Sequence, residues 1–209
     1  SQSREELIEL TSASGATIKG LVEKGILKEK ACKAGEVCKV RNEDIERPTL
    51  TKLQQKAYEE IRSSDLPSLL FGITASGKTE VYAELIADSV SEGRQAILLV
   101  PEILLTEHCI HRFQALLGAE HVTVLHSRLT GGQRRDAWRR IHSGEVSLVI
   151  GSRSALFAPA QNLGLVILDE EHEWTYKNEQ TPRYHARETA AALCRFAGAK
   201  LVLGSATPS

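Results

Sequence analysis

The sequence predicts an α/β chain, a doubly wound and mostly parallel sheet with helices on both faces, preceded by a smaller helical module. Three observations carry that expectation. Runs of strand length that are apolar throughout, such as Ala96 to Val100 and Val166 to Leu168, alternate with segments of helical periodicity, and strands buried on both faces read this way. The run Leu69 to Phe71 feeds Gly72-x-x-x-x-Gly77-Lys78-Thr79, after which Val81, Leu85 and Ile86 recur at helical spacing. The run ending at Leu168 delivers Asp169-Glu170-Glu171-His172 to a strand end.

The first 47 residues form the smaller module. Ser3-Arg4-Glu5-Glu6 is a capping-box start for a short helix carrying Leu7, Ile8 and Leu10. A second helix places Ile18, Leu21 and Val22 on one side and ends at Gly25. Ile26-Leu27 and Val37 to Val40 suit a two-stranded ribbon. Helix, turn, helix and ribbon make the back part of a winged helix, a common duplex-DNA module. Lys19, Lys24, Lys28 and Lys30 are balanced by nearby Glu, so a structural or protein-binding winged helix is an equal reading. Arg41 to Pro48 is charged, ends in proline and reads as the linker, with the α/β domain over 48–209.

In the second module Gln54, Ala57, Tyr58 and Ile61 mark a first helix, and the strand, glycine loop and helix around Gly72 follow. After the strand Ala96 to Val100, Pro101 breaks the run, and Ile110, Phe113, Leu116 and Leu117 mark the next helix. Val122 to Leu125 is a strand, and a polar helix spans about Thr130 to His142. Val146 to Ile150, Leu165 to Leu168 and Leu201 to Leu203 are further strands, with a helix over Arg187 to Phe196 before the last. In a parallel sheet the loops beginning at Gly72, Pro101, Gly151, Asp169 and Gly204 share one rim, where ligands bind.

Composition bounds the function. Of 209 residues 42% are hydrophobic and 25% charged, with a net charge of −1, so a nucleic-acid surface would have to be local. No apolar run approaches the roughly 20 residues a membrane span needs, and no signal-peptide pattern is present. Cys32, Cys38, Cys109 and Cys194 lack a zinc spacing and read as reduced thiols of a cytoplasmic protein. The start at Ser1 and the stop after Thr207-Pro208-Ser209 read as the ends of a piece of a longer protein.

The glycine loop has the residue types for phosphate. Glycines let backbone N–H groups ring an anion, and the helix starting near Gly77 points its positive end at the same place. Lys78 is placed to neutralise the β- and γ-phosphates, and the Thr79 hydroxyl is a candidate magnesium ligand. Such a site needs an acid at a neighbouring strand end to hold magnesium and a second carboxylate to orient or deprotonate water. Asp169 and Glu170 have those types in that order.

With Gly204-Ser205-Ala206-Thr207-Pro208 added, these motifs resemble the first, RecA-like lobe of a superfamily 2 helicase. The resemblance is closer to the primosomal protein N-prime family of bacterial replication-restart DNA helicases. It runs through Gly72 to Tyr82, Leu99 to Ile103, Leu125-His126-Ser127, Gly151 to Pro159, Tyr176-Lys177 and Pro182 to Arg187. Ala75 stands where that family usually has Gly, and Leu104 to His108 departs from its usual Leu-Thr-Pro-Gln. The resemblance implies an ATP- and magnesium-dependent helicase that moves 3′ to 5′ on forked or single-stranded DNA. It makes Gln54 the adenine-side glutamine and places Gly72, Thr74, Ala75, Ser76, Gly77, Lys78, Thr79 and Glu80 on the nucleotide. Thr79 and Asp169 would hold magnesium, and Lys78, Asp169 and Glu170 would carry hydrolysis. Ser205 and Thr207 would couple the ATP site to DNA, and Pro101, His126, Ser127, Arg153 and Ser154 would follow the strand. It further implies a monomer that works with single-strand-binding protein and primosome proteins. Zinc would belong to the full-length protein, with no ligands in this chain.

The segment Glu173 to Arg187 holds Trp174, Tyr176 and Tyr184 among Lys177, Arg183 and His185, a composition that can stack bases and hold phosphate. Trp174 and Tyr184 as core residues anchoring a loop is the alternative. Arg134, Arg135, Arg139 and Arg140 read as a solvated helix face. Two other functions fit the motifs: another superfamily 2 motor, such as a repair translocase or RNA helicase, and a winged-helix regulator that senses nucleotide.

Overall fold

The computed structural model describes Ile45, residues 47–73 and residues 76–207. The partial winged helix, most of the linker, Thr74, Ala75, Pro208 and Ser209 lie outside the described residues.

Helix α1, Lys52–Ser63, begins with a capping box in which the Thr51 side chain accepts from Gln54 N and the Gln54 side chain accepts from Thr51 N. Strand β1, Ser68–Phe71, runs through the glycine loop into α2, Lys78–Ser91. The order continues with β2, Gln95–Leu99, α3, Glu107–Leu117, β3, Val122–Leu125, α4, Gly131–His142, β4, Leu148–Gly151, and β5, Leu163–Leu168. Thr106 and Thr130 cap α3 and α4 through their hydroxyls, which explains why both helices start where they do. After β5 come a 3₁₀ turn over Trp174–Tyr176 and a small antiparallel hairpin of β6, Lys177–Asn178, and β7, Tyr184–His185. Helix α5, Ala186–Ala197, and strand β8, Lys200–Ser205, complete the described elements.

The six-stranded sheet has the order β1-β8-β5-β2-β4-β3, and all its pairings are parallel rather than mostly so. Apolar runs on adjacent strands produce this arrangement because both faces are covered. Leu98, Ile150, Ile167 and Val202 join a cluster with Tyr58, Ile61, Val81, Ile86 and Phe113 from α1, α2 and α3. Their neighbours Leu99, Val149, Val166 and Leu201 join a second cluster with Ile141 of α4 and Ala190 and Cys194 of α5. Burying each such Leu, Ile or Val contributes about 1.5–3 kcal/mol. Lys200, at the start of β8, donates from Nζ to the carbonyls of Ile61, Arg62 and Ser64, so a cation closes the C-terminal end of α1.

The expected rim exists. Phe71 pairs with Ser205, Leu168 with Leu203 and with Leu99, and Gly151 with both Leu99 and Leu125. The carboxyl ends of the strands therefore stop level with one another. Two details differ from the sequence reading. Val146 precedes β4, its N–H taken by the Arg140 carbonyl, and the aromatic segment contains a hairpin that its composition did not signal.

Candidate nucleotide and nucleic-acid site

The glycine loop is braced from outside. Gly77 has φ of 81°, a left-handed conformation, and a Cβ there would stand 2.2 Å from Gln54 Nε2. The dihedral calls for glycine, and any Cβ there would push the Gln54 amide from its place. Gln54 Nε2 donates to the carbonyls of Gly77 at 3.2 Å and Ser76 at 3.4 Å, while its Oε1 serves the cap of α1. Both ends of this amide are engaged by backbone, which places Gln54 as a brace of the loop. Lys78 Nζ donates to the Gly72 carbonyl at 2.9 Å and lies 3.3 Å from Glu170 Oε1. The ammonium thus lies between the Gly72 carbonyl and the Glu170 carboxylate, and Thr79 follows it in the first turn of α2.

Asp169 and Glu170 stand opposite. The Asp169 N–H bonds to the Leu99 carbonyl at 2.9 Å, continuing the sheet by one residue past β5. Its Oδ1 accepts from the Tyr82 hydroxyl at 2.9 Å, and its carbonyl accepts from the Tyr176 hydroxyl at 2.7 Å. Burial pushes the Asp169 carboxyl above the usual range, the Tyr82 hydrogen bond opposes this, and the Glu170 charge adds to it. Glu170 has φ of 47°, the one left-handed non-glycine among the described residues. The turn there is forced from both sides, since Asp169 N is held by β2 and Glu171 N bonds to the Gly204 carbonyl of β8 at 2.8 Å. Strain held at a carboxylate opposite Lys78 singles this corner out as a candidate functional site.

The remaining two residues of that strand end have separate tasks. Glu171 is buried and pairs with Arg187 at 2.8 Å, tying the rim to α5. His172 Nδ1 lies 2.8 Å from Ser205 Oγ, which accepts from Thr207 N at 3.1 Å, and 3.7 Å from Glu170 Oε2. The structure therefore brings the carboxylates and the Ser205-Ala206-Thr207 turn into one chain of polar contacts. Glu80, in the first turn of α2, pairs with Arg112 of α3.

The candidate nucleic-acid residues divide into three groups. Ser127 Oγ donates to Glu102 Oε1 at 2.6 Å, joining the Pro101 and His126 loops around a cavity of about 510 Å³ that Ile103 and Arg128 also line. Ser154 is exposed at the rim, and Arg153 Nη1 donates to the carbonyls of Thr175 at 2.8 Å and Lys177 at 2.9 Å. Through that nitrogen Arg153 braces the aromatic loop. Within that loop Trp174 is 81% exposed and Tyr176 only 1%. Tyr176 is thus the core residue of the segment and has no face open to a base, while Trp174 is free of the core, the reverse of the anchoring alternative. Tyr184 is half-buried and stacks edge-to-face on Phe157 at 5.1 Å, and Lys177 and Arg183 are exposed beside it. On α4, Arg139 pairs with Asp136, Arg140 donates to the Glu120 carbonyl, and Arg134 and Arg135 face solvent, as a solvated stripe does.

The donor set suits a hard divalent cation with a nucleotide. Thr79 and Asp169 offer oxygen only, and among the described residues no group of three or more His, Cys, Asp or Glu could hold a metal unaided. A cation completed by phosphate oxygens and water fits that arrangement. Tyr82, Arg112 and Arg187 contact residues of this site, and the sequence reading gave none of them a role, although Tyr82 and Arg187 lie in the runs that carry the resemblance. The one available signal was Tyr82 lying a single helical turn beyond Lys78.

Comparison with known proteins finds relatives of the whole chain. A family model described as DEAD/DEAH box helicase matches residues 51–209. The replication restart protein PriA of Bacillus subtilis (strain 168) is 46% identical over 98% of this chain and 26% of its own length. Its counterpart from Synechocystis sp. is 40% identical over 98% of this chain and 25% of its length. The chain thus spans about a quarter of the length of these curated relatives. Among solved structures, RecG bound to a three-way DNA junction is 25% identical with a TM-score of 0.56, over 93% of this chain and 23% of that one. MrfA bound to DNA, 19% identical with a TM-score of 0.58 over 77% of this chain and 23% of that one, shares the fold.

Proposed function

The chain belongs to the DEAD/DEAH box helicase family, and on that footing we propose that it is the nucleotide-binding lobe of an ATP-driven DNA helicase acting in replication restart. The observation that carries this reading is the Lys78–Glu170 pair at 3.3 Å, with Asp169 pinned beside it and His172 leading to Ser205 and Thr207. Gly72 to Glu80 hold the phosphates, and Gln54 exchanges the loop carbonyls for the adenine edge. When a phosphate arrives, Lys78 leaves the Gly72 carbonyl and Glu170 for it, because a polyanion outcompetes one carbonyl and one carboxylate. Glu170, released from its cation, orients and deprotonates water. Thr79 and Asp169 would hold magnesium, which would supply positive charge against the negative charge that develops on the transferred group.

DNA, forked or single-stranded, follows the Pro101, His126-Ser127 and Ser154 loops, with Trp174, Lys177 and Tyr184 presenting stacking faces and a cation. Through the likeness to replication restart proteins, single-strand-binding protein and primosome proteins are proposed partners, in the cytoplasm. Among the described residues no helix is long and apolar enough to cross a membrane.

Paired variants of the full-length protein test the assignment. Glu170→Gln is expected to keep nucleotide affinity and lose hydrolysis by at least about 10²-fold, since the amide accepts a hydrogen bond but is no base. Lys78→Ala is expected to lose affinity itself. Nucleotide binding by fluorescence and turnover with and without forked DNA decide. Equal loss of binding in both variants would break the division of roles, and turnover indifferent to DNA would replace the motor with a nucleotide sensor.

A further inference from the structure

Asp169 depends on a residue that none of its own neighbours in sequence supplies. The last torsion of an aspartate side chain is broad, so a carboxylate at a strand end samples many orientations unless something holds it. Here the holder is Tyr82, 1% exposed, whose hydroxyl reaches Asp169 Oδ1 at 2.9 Å. Room for it exists because residue 204 is glycine. A Cβ at Gly204 would stand 1.6 Å from the Tyr82 hydroxyl oxygen, 2.9 Å from Cζ and 3.2 Å from Asp169 Oδ1.

Tyr82 also sits one turn after Lys78 on α2, on the same face of the helix. One rigid element thus carries the phosphate-binding ammonium at its tip and, a turn deeper, the hydroxyl that reaches the carboxylate on β5. From this juxtaposition we infer that Tyr82, in the space left by Gly204, is a positioning residue that sets the orientation of the Asp169 carboxylate relative to the phosphate loop, and with it the magnesium requirement of the site. The inference rests on the proposed ATP reading.

Tyr82→Phe removes only the hydroxyl, and Tyr176→Phe is its control, because Tyr176 donates to the Asp169 backbone carbonyl and not to its carboxylate. In the full-length protein, magnesium is titrated against binding of a fluorescent ADP analogue and against DNA-stimulated ATP hydrolysis. For Tyr82→Phe the half-saturating magnesium concentration is expected to rise about 10- to 100-fold in both assays, the range for losing an outer partner of a metal ligand. Binding without magnesium and the melting temperature should change no more than in Tyr176→Phe. Gly204→Ala, which displaces the hydroxyl, is expected to raise the magnesium requirement as well. An unchanged requirement in Tyr82→Phe, or an equal shift in Tyr176→Phe, would overturn the inference while leaving the ATP reading intact. A wild-type protein that bound no nucleotide with magnesium would overturn both.

Discussion

Glu170 shows how much one residue can be asked to hold. Its left-handed backbone costs an L-residue about 1–2 kcal/mol, and it bears that cost where its carboxylate meets Lys78. Replacing it separates backbone from side chain. Glu170→Ala and Glu170→Gly both remove the carboxylate, so both are expected to lose hydrolysis. At an ordinary position the glycine variant would be the less stable by roughly 0.5–1 kcal/mol. Here the order should reverse, with Glu170→Gly the more stable of the two in chemical denaturation by about 1 kcal/mol, because glycine adopts the turn freely. Equal stabilities, or the usual order, would show that the corner is not strained.

Among the elements, the aromatic segment behaves as two parts rather than one. Tyr176 packs in the core and bonds to Asp169, whereas Trp174 projects into solvent two residues earlier. Trp174→Ala is therefore expected to leave the melting temperature almost unchanged while lowering DNA-stimulated ATPase in the full-length protein. Tyr176→Ala should cost about 3–5 kcal/mol of stability and all activities together. Thermal melts beside DNA titrations test this, and a Trp174 variant that unfolds early would remove its proposed DNA role. The contact of α1 with α2 has its own signature. Burial, then the hydrogen bond to Asp88, pushes the Tyr58 hydroxyl from 10.0 to about 12. Between those values the unfolded chain gives up the proton first, so stability present below pH 10.0 falls as pH rises toward about 12. Tyr58→Phe should melt lower at neutral pH and lose less on that alkaline limb than the wild type does. Identical alkaline limbs would mean that the Asp88 bond contributes nothing.

For the whole molecule, length is the governing fact, since this chain matches about a quarter of each curated relative. On the proposed motor reading, arginines from a second lobe would complete the site on the transferred phosphate, and working without such a residue costs on the order of 10³–10⁵ in rate. The 209-residue chain alone is therefore expected to bind nucleotide with magnesium but to turn ATP over slowly, with little response to DNA. Turnover near that of a full-length protein would show that the described lobe is sufficient. What could be read along the chain was whatever neighbouring residues encode together. The apolar runs announced a buried parallel sheet, and Gly72 to Thr79 and Asp169-Glu170 each carried their chemistry within one turn of backbone. Thr51 and Gln54 announced a helix start but not that the same amide would brace Gly77, twenty-three positions away. The resemblance set Arg153 beside the DNA strand, and nothing along the chain told that its Nη1 would also hold the carbonyls of residues 175 and 177. Tyr82 and Gly204 acquire meaning only once β8 lies beside β5 and brings both to Asp169. Such contacts are absent from sequence patterns because a hydrogen bond or a missing Cβ acts across space, and the sheet alone decides which distant residues share that space.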